Sequence, residues 1–575
     1  MQRLWCHIGS GRRGQFMGLL ILMLLGAFLE LISIGAVIPF LSALTDPNKI
    51  FSHQALRPIF ELFEITAPEN ILLPATILFC LIAILAGSLR IFLLWVNTRF
   101  AFLTGADISI DIYRRTLYQN YTVHCMRNSS VVIDAISNKT GTVISVITML
   151  LTLITSLIML IVILTGLILV NPTITLLTFG SFALIYIFLI LFSRSRLAAN
   201  SSCIAKESTL VIKSLQEGLG GIREVLIDGS QEAYCKIYNL ADKALRRAQA
   251  SSAFIGGSPR YAMESLGIVV IVVVAYTLIQ HGDGISEAIP VLGFLALGAQ
   301  RLLPSLQQAY SAWSGIQSAK NSLEDAIDLL EQPIPSYAYK GPPNRLPFKS
   351  EIKLKKICFK YESGAPYVFK NIDLQIIRGD RVGFIGKTGC GKSTLLDIIM
   401  GLLEPVNGFL EIDGRQITQS NKRSWQQNIA HVPQTIYLAD SSVAENIAFG
   451  VQREDIDIDR VKCAAEQAQI SSSIETWQDQ YQTIIGERGV RLSGGQRQRI
   501  GIARALYKEA EIIIFDEATS ALDVETENDI IESIDCLDKN ITVLIVAHRV
   551  STLKGCNRIF ELKDGFIKTL ECNEA

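Results

Sequence analysis

Apolar residues in this chain are gathered rather than spread. Before about residue 310 they form six runs long enough to cross a bilayer, at 16–44, 71–95, 143–170, 173–192, 262–280 and 289–306. Asn171 and Pro172 join the third run to the fourth. The long stretches after the second and fourth runs are polar with helical periodicity, so the membrane helices are expected to continue well beyond the bilayer. A cluster of prolines (Pro333, Pro335, Pro342, Pro343 and Pro347) then ends the helical pattern and predicts an extended linker. From Glu351 onward the pattern is that of a soluble protein, opening on strand-like alternation over 351–361. The expected division is 1–332 in the membrane, 333–350 as linker and 351–575 as a soluble domain.

Charge orients the first part. Arg3, Arg12 and Arg13 precede the first run; Arg99, Arg114, Arg115, Arg127 and Lys139 lie between the second and third. A longer basic series from Arg194 to Arg260 lies between the fourth and fifth, whereas the opposite loops hold only Lys49 and Arg57. The positive-inside rule puts both termini, both long loops and the soluble domain in the cytoplasm. The run at 16–44 is too long for a cleaved signal peptide. In the first outer loop, Leu56, Ile59, Phe60 and Phe63 share one helical face, the pattern of a short amphipathic helix at the outer surface or of a packed outer cap. The formal net charge of -1 gives no general attraction to nucleic acid. The 11 cysteines lack metal-ligand spacing and read as thiols in a reducing compartment.

Ionisable residues inside an apolar run need a reason. Glu30, Arg90, Arg260, Glu264 and Arg301 are of this kind. One account is mutual pairing, such as Glu30 with an arginine, which fixes helix packing. The other is that Arg90, Arg260 and Arg301 line a watery cavity and hold an anionic head group, for which the planar guanidinium fork is suited.

The soluble part is organised around residues 386–394: Gly386, Lys387, Thr388, Gly389, Cys390, Gly391, Lys392, Ser393 and Thr394. An apolar strand-like run precedes them and a helical run follows. Strand, glycine loop and helix form the setting of a phosphate-binding loop, in which backbone N–H groups and a helix N-terminus meet phosphate oxygens. Lys392 is placed for the β- and γ-phosphates of ATP and the Ser393 hydroxyl for Mg²⁺. Downstream, four apolar residues lead into Asp516 and Glu517, as a buried parallel strand would. Asp516 can hold the Mg²⁺ shell and Glu517 can polarise an attacking water. The fold class expected is a polytopic α-helical membrane domain of six spans plus an α/β P-loop ATPase.

With these residues in view the chain resembles the ATP-binding cassette exporters. Residues 386–393 match the Walker A loop and 512–516 the Walker B strand, while Leu492, Ser493, Gly494, Gly495 and Gln496 match the family signature. The resemblance further implies an A-loop tyrosine at Tyr361, a Q-loop at Gln434 that also serves Mg²⁺, a D-loop over 520–523 ending in Asp523, and a switch histidine at His548. Gly486, Glu487, Arg488 and Gly489 look like the exporter X-loop. Six spans before one cassette are the half-transporter plan, located in the plasma (inner) membrane. The family's head-to-tail pairing implies a homodimer, in which Ser493 and Gly495 of one copy close on ATP held by Lys392 and Ser393 of the other. Glu517 and His548 are both kept, so both sites should hydrolyse ATP. The loop tips at 121–127 and 226–233 are expected to seat on the cassettes and pass ATP-driven closure to the membrane part by alternating access.

The cargo is written less plainly. Phe28 to Glu30, Val37 to Phe40, Pro259 to Glu264 and Gln300 to Pro304 look like a bacterial lipid-linked oligosaccharide flippase. That resemblance implies an amphipathic, lipid-linked saccharide substrate, with the polyprenyl tail in lipid and the pyrophosphate on the arginines. Exporters of other lipids, drugs or peptides are the competing reading. An ATP-gated channel or receptor regulator would call for degenerate ATP sites or added regulatory domains.

Overall fold

The computed structural model describes residues 2–37, 40, 44, 72–170, 172–280, 284–335, 337–339, 341–362, 364–517, 532, 538–547, 553 and 555–570. The chain divides into two compact units, 1–119 with 126–335, and 120–125 with 336–575.

The first unit is helical: α1 Gln2–His7, α2 Ser10–Gly35, α3 Leu72–Leu117, α4 Tyr121–Met126 (most of it in the second unit), α5 Ser129–Asp134, α6 Thr140–Val170, α7 Pro172–Gly220, α8 Ile222–Ile227, α9 Gln231–Gly257, α10 Pro259–Gln280, α11 Gly284–Ser318 and α12 Lys320–Leu330. Among the described residues, Ser10–Gly35, Leu72–Leu117, Ser129–Leu169 and Gly180–Gly220 are long and apolar enough to cross a membrane. The fifth and sixth expected spans fall on α10 and α11, whose side chains are described only in part. The 46 residues of α3 and 49 of α7 rise about 70 Å each at 1.5 Å per residue, more than twice a ~30 Å hydrocarbon core. The polar stretches of the sequence after the second and fourth runs are therefore continuations of these helices beyond the bilayer. The outer loop with Leu56, Ile59, Phe60 and Phe63 lies outside the described residues.

Packing follows the apolar stripes. Leu19 and Met23 of α2, Leu93 and Phe100 of α3, and Val146 and Leu151 of α6 share one buried cluster with Leu323 and Ile327 of α12. A second joins Ile163 and Leu167 to Phe182, Tyr186, Met263 and Tyr310. The backbone at Gly166 comes so near α2 that an added Cβ would run into Leu31 Cδ1, the small-residue approach expected between membrane helices. At the N-terminal end of α6, a π-helical turn over Ala135–Lys139 carries a buried ionic knot. Asp134 accepts from Ser208 Oγ at 2.7 Å and from Thr209 Oγ1 at 2.8 Å, and Lys139 Nζ reaches Asp325 at 2.6 Å. Every charge in it has a partner, which is the condition for burying one.

The second unit holds two sheets. One is antiparallel in the order β2-β1-β4-β5, built from β1 Glu351–Phe359, β2 Phe369–Ile377, β4 Asn407–Ile412 and β5 Arg415–Gln416. The other runs β10-β9-β3-β8-β7-β6, with β3 Arg381–Gly386, β6 Ile429–Val432, β7 Ile512–Asp516, β8 Thr542–Val546, β9 Arg558–Lys563 and β10 Phe566–Leu570. Its central strands are parallel, and β8 is buried along its whole length, as a strand covered on both faces must be. Part of the expected linker packs here: Phe348 is buried against the Trp425 ring at 6.0 Å, Leu346 N donates to Ser424 O at 3.0 Å, and the Asn428 side-chain amide donates to Leu346 O. Residues 120–125 also belong to this unit: Lys422 Nζ donates to Asn120 Oδ1 at 3.2 Å. The Tyr121 phenol is pushed up to about 12 by partial burial, with the charge of Asp397 adding to it.

Candidate functional site

The carboxyl ends of parallel strands are where an open α/β sheet binds ligands, and β3 and β7 deliver the candidate residues there from either side of β8. β3 ends at Gly386 and helix α13, Lys392–Ile399, begins six residues later. Gly391 caps that helix at φ +101 with its Cα facing Val368 and Phe369; a Cβ there would come within 2.7 Å of Val368 Cγ1. Only glycine meets both demands. Lys392 is buried, and its ammonium donates to Gly386 O at 3.0 Å and Lys387 O at 3.4 Å. Thr394 Oγ1 shares a 2.8 Å hydrogen bond with the Tyr361 hydroxyl, while the Tyr361 ring stands edge-on to Phe359 at 5.0 Å and remains exposed. An open aromatic ring beside the phosphate loop is suited to stacking on a nucleobase.

On the β7 side, the Ser393 hydroxyl hydrogen-bonds the Asp516 carboxylate. Asp516 Oδ1 is buried with no hydrogen-bond partner among the described residues. An orphaned carboxylate oxygen beside a serine hydroxyl is the donor set a hard divalent cation takes, so these residues fit Mg²⁺. Glu517 follows at φ +50, an unusual conformation for a non-glycine residue. Its N–H donates to Val546 O at 3.0 Å and its Oε2 accepts from Gln434 Nε2 at 2.8 Å; Lys392 Nζ lies 3.9 Å from its other oxygen. The structure thus brings together Tyr361, the 386–394 loop, Gln434, Asp516 and Glu517. It places Ser493 elsewhere, as the N-cap of α16, Gly494–Tyr507 (α14 Val443–Ile447 and α15 Ile458–Gln467 precede it). Ser493 Oγ accepts from Gln496 N at 3.2 Å and Ser493 N donates to Gln496 Oε1 at 2.9 Å, a capping box. Gly494 and Gly495 form the first turn, with N–H groups free for an anion. Asp523 and His548 lie outside the described residues.

Two families of known proteins match this arrangement. The ABC transporter transmembrane region matches residues 16–296, and the ABC transporter ATPase matches 369–520. The chain belongs to the ABC transporters. Its relatives include the beta-(1→2)glucan export ATP-binding/permease protein NdvA of Rhizobium meliloti (strain 1021), 37% identical over 308 residues, 52% of this chain and 50% of that one. Another is the alpha-hemolysin translocation ATP-binding protein HlyB of Escherichia coli O157:H7, 37% identical over 278 residues, 48% of this chain and 38% of that one. The chain thus spans about half the length, or less, of the curated relatives it matches. A solved bacterial Atm1-family ABC exporter with ATP bound shares the fold, with a TM-score of 0.79 over 98% of this chain and 96% of that one at 21% identity.

Within this ABC transporter cassette, sequence reasoning missed Asp397. It lies on α13 four residues after Ser393, hence on the same helical face, and that spacing could have found it. Burial, with neighbouring Asp516 adding to it, pushes its carboxyl up to about 6. Burial also raises Asp516, against the lowering effect of the Ser393 hydrogen bond. A carboxyl whose pKa is raised on folding binds its proton more tightly in the folded state. Its contribution is favourable at low pH and is lost as pH rises from about 4 to about 6. Asp397→Asn removes that penalty and is expected to stabilise the cassette at pH 8 in metal-free buffer by ~1–3 kcal/mol. Thermal unfolding of the two proteins between pH 4 and pH 8 checks it: the wild type should lose its deficit at the acid end.

Cys390 sits within the phosphate loop, half-buried, and its Sγ fills the space a Cβ on Gly386 would need. A thiol reagent bonded there is expected to block nucleotide binding, and Cys390→Ala to be insensitive; binding of a fluorescent ATP analogue after alkylation distinguishes them.

In the membrane unit, Arg90 and Arg301 meet on one carboxylate. Arg90 Nη2 hydrogen-bonds Glu30, Arg301 Nε lies 2.8 Å from its Oε1, and Glu30 is only 2% exposed. Arg260 is not part of that cluster: it pairs with Glu264 one turn along α10 at 2.8 Å.

Proposed function

We propose that this chain couples ATP hydrolysis to export of an amphipathic, saccharide-bearing cargo from the cytoplasmic to the outer side of the inner membrane, working as a homodimer. The observation that carries it is the convergence of Lys392, Ser393, Asp516, Gln434 and Glu517 beyond the ends of β3, β6 and β7. Lys392 exchanges its carbonyl partners for the β- and γ-phosphates of ATP, and Tyr361 stacks on the base. Ser393 and Asp516, with Gln434 nearby, would hold Mg²⁺, which neutralises phosphate charge when bound. Glu517 takes the proton of an attacking water, positioned by its bond to Gln434. Ser493, Gly494, Gly495 and Gln496 supply the second phosphate-facing helix end, from the partner copy. Asp523 and His548 complete each site in this reading. The exposed apolar residues Ile222, Leu226 and Ile227 at the tip of α8 give a second copy a surface to cover.

For the cargo, two guanidiniums against one carboxylate leave one net positive charge at Glu30, Arg90 and Arg301. That favours a cargo with an anionic group, such as a pyrophosphate-linked saccharide. The glucan-export name of NdvA supports a saccharide; the hemolysin-translocation name of HlyB favours the peptide alternative. The test is ATPase activity of the chain in liposomes with three additives: undecaprenyl pyrophosphate bearing sugar, a hydrophobic drug set, and an unfolded peptide. Stimulation by the glycolipid, with movement of its sugar across the bilayer, is the expected result. Stimulation by peptide alone would replace this reading with the second.

A further inference from the structure

Three membrane helices border a half-open cavity of about 180 Å³. α7 contributes Tyr186, α10 contributes Arg260, Met263 and Glu264, and α11 contributes Leu303, Pro304, Gln307 and Gln308. Polar groups along membrane helices mark function more often than packing, and these are arranged. The Tyr186 ring is fixed against Tyr310 at 5.5 Å, and Tyr310 shares a 3.1 Å hydrogen bond with Ser193. The Tyr186 hydroxyl donates to Gln307 Oε1 at 3.1 Å, and Gln307 Nε2 donates to Gly256 O at 3.0 Å. The phenol oxygen keeps its lone pairs for another donor. Gln308 accepts from Ser156 at 3.5 Å, the limit of hydrogen-bond reach, and its amide N–H groups have no protein partner among the described residues.

Size and charge narrow the occupant. The volume is below the range of whole drug-sized ligands, about 300–1,000 Å³, and suits a single ring. The wall is apolar over its larger part, but it also carries a phenol, two amides and an ion pair, polar groups that a purely hydrophobic drug would leave unpaired. An anion would need an unmatched cation, yet Arg260 is neutralised by Glu264 at 2.8 Å. What remains is a neutral ring that both donates and accepts hydrogen bonds around its rim and offers C–H faces to Met263, Leu303 and Pro304. We propose that this cavity is a subsite for one glycosyl unit of the cargo, distinct from the cationic Glu30 cluster. The proposal rests on the saccharide reading above. Arg301 and Gln308 are seven residues apart on α11, about 10 Å along its axis, a separation one phosphate-linked sugar can span.

The test uses the full chain in liposomes and two probes: undecaprenyl pyrophosphate bearing one glycosyl unit, and the same lipid without sugar. The readout is the concentration giving half-maximal ATPase stimulation. Tyr186→Phe, which keeps the ring packing, and Gln308→Met, which keeps volume, are each expected to raise it about three- to tenfold for the glycosylated lipid, as loss of one hydrogen bond would. Little change is expected for the bare lipid. Phe188→Leu, on an exposed part of the same helix, is the control for general damage. Equal shifts for both lipids, or none for the glycosylated one in either variant, would overturn the subsite while leaving saccharide export standing. If the sugar adds nothing to stimulation of the wild type, the saccharide reading fails and the subsite with it.

Discussion

Replacing Glu517 with glutamine is expected to lower ATP turnover by about 10²–10⁴-fold while ATP binding persists. The substitution is isosteric, and its carboxamide oxygen can still accept from Gln434, which reaches Glu517 at 2.8 Å. The φ +50 turn that aims the side chain is set by the backbone bond from Glu517 N to Val546 O, which the change leaves intact. Geometry is kept and basicity is removed. The Lys392 ammonium, 3.9 Å from the carboxylate, loses an anionic neighbour and becomes freer to hold phosphate, so nucleotide affinity should hold or rise. Phosphate release measures the first effect and binding of a fluorescent ATP analogue the second. Turnover within a factor of about ten of wild type would assign the base elsewhere.

The second large effect lies in the membrane. Glu30→Gln is expected to destabilise the membrane unit by ~3 kcal/mol, the low end for removing one partner of a buried ionic cluster. Glu30 is 3% exposed at its side chain, whereas Arg90 and Arg301 keep 44% each, so solvent softens the penalty. Two guanidiniums would then face each other across a neutral amide. The double change Glu30→Gln with Arg301→Gln restores the original charge balance and should recover part of the loss. Thermal unfolding of the protein in lipid nanodiscs reads both, and an unchanged transition for Glu30→Gln would mean that the arginines are satisfied by other groups.

Local features were the most legible in the sequence. The 386–394 loop is defined by glycine spacing within nine residues, and Gly391 now explains its own identity through φ and the wall of Val368 and Phe369. The pairing of Ser493 with Gln496 is likewise local, a cap readable from a three-residue step. Non-local features were half visible. Glu30 and the arginines stand out as charges in apolar runs, but partners 60 positions apart (Glu30 and Arg90) can be joined only by folding. One sign in the sequence does separate Arg260 from the other two: Glu264 lies one helical turn on, at ion-pair spacing, and takes it. The knot of Asp134, Lys139, Ser208, Thr209 and Asp325 gave no signal at all, because each residue is ordinary on a polar helix and only burial makes it notable.

The six residues from Asn120 to Cys125 carry a practical consequence. Because they belong with 336–575, the chain passes between its two units at three places: 119–120, 125–126 and 335–336. A soluble cassette produced by cutting at the prolines after residue 332 would lack Asn120, the acceptor for Lys422, and Tyr121, whose phenol senses Asp397. Such a fragment is a protein with a missing piece of its own surface. Its ATPase rate and pH profile would describe water where the full chain has a phenol, and nucleotide kinetics meant to represent the transporter belong to the uncut polypeptide.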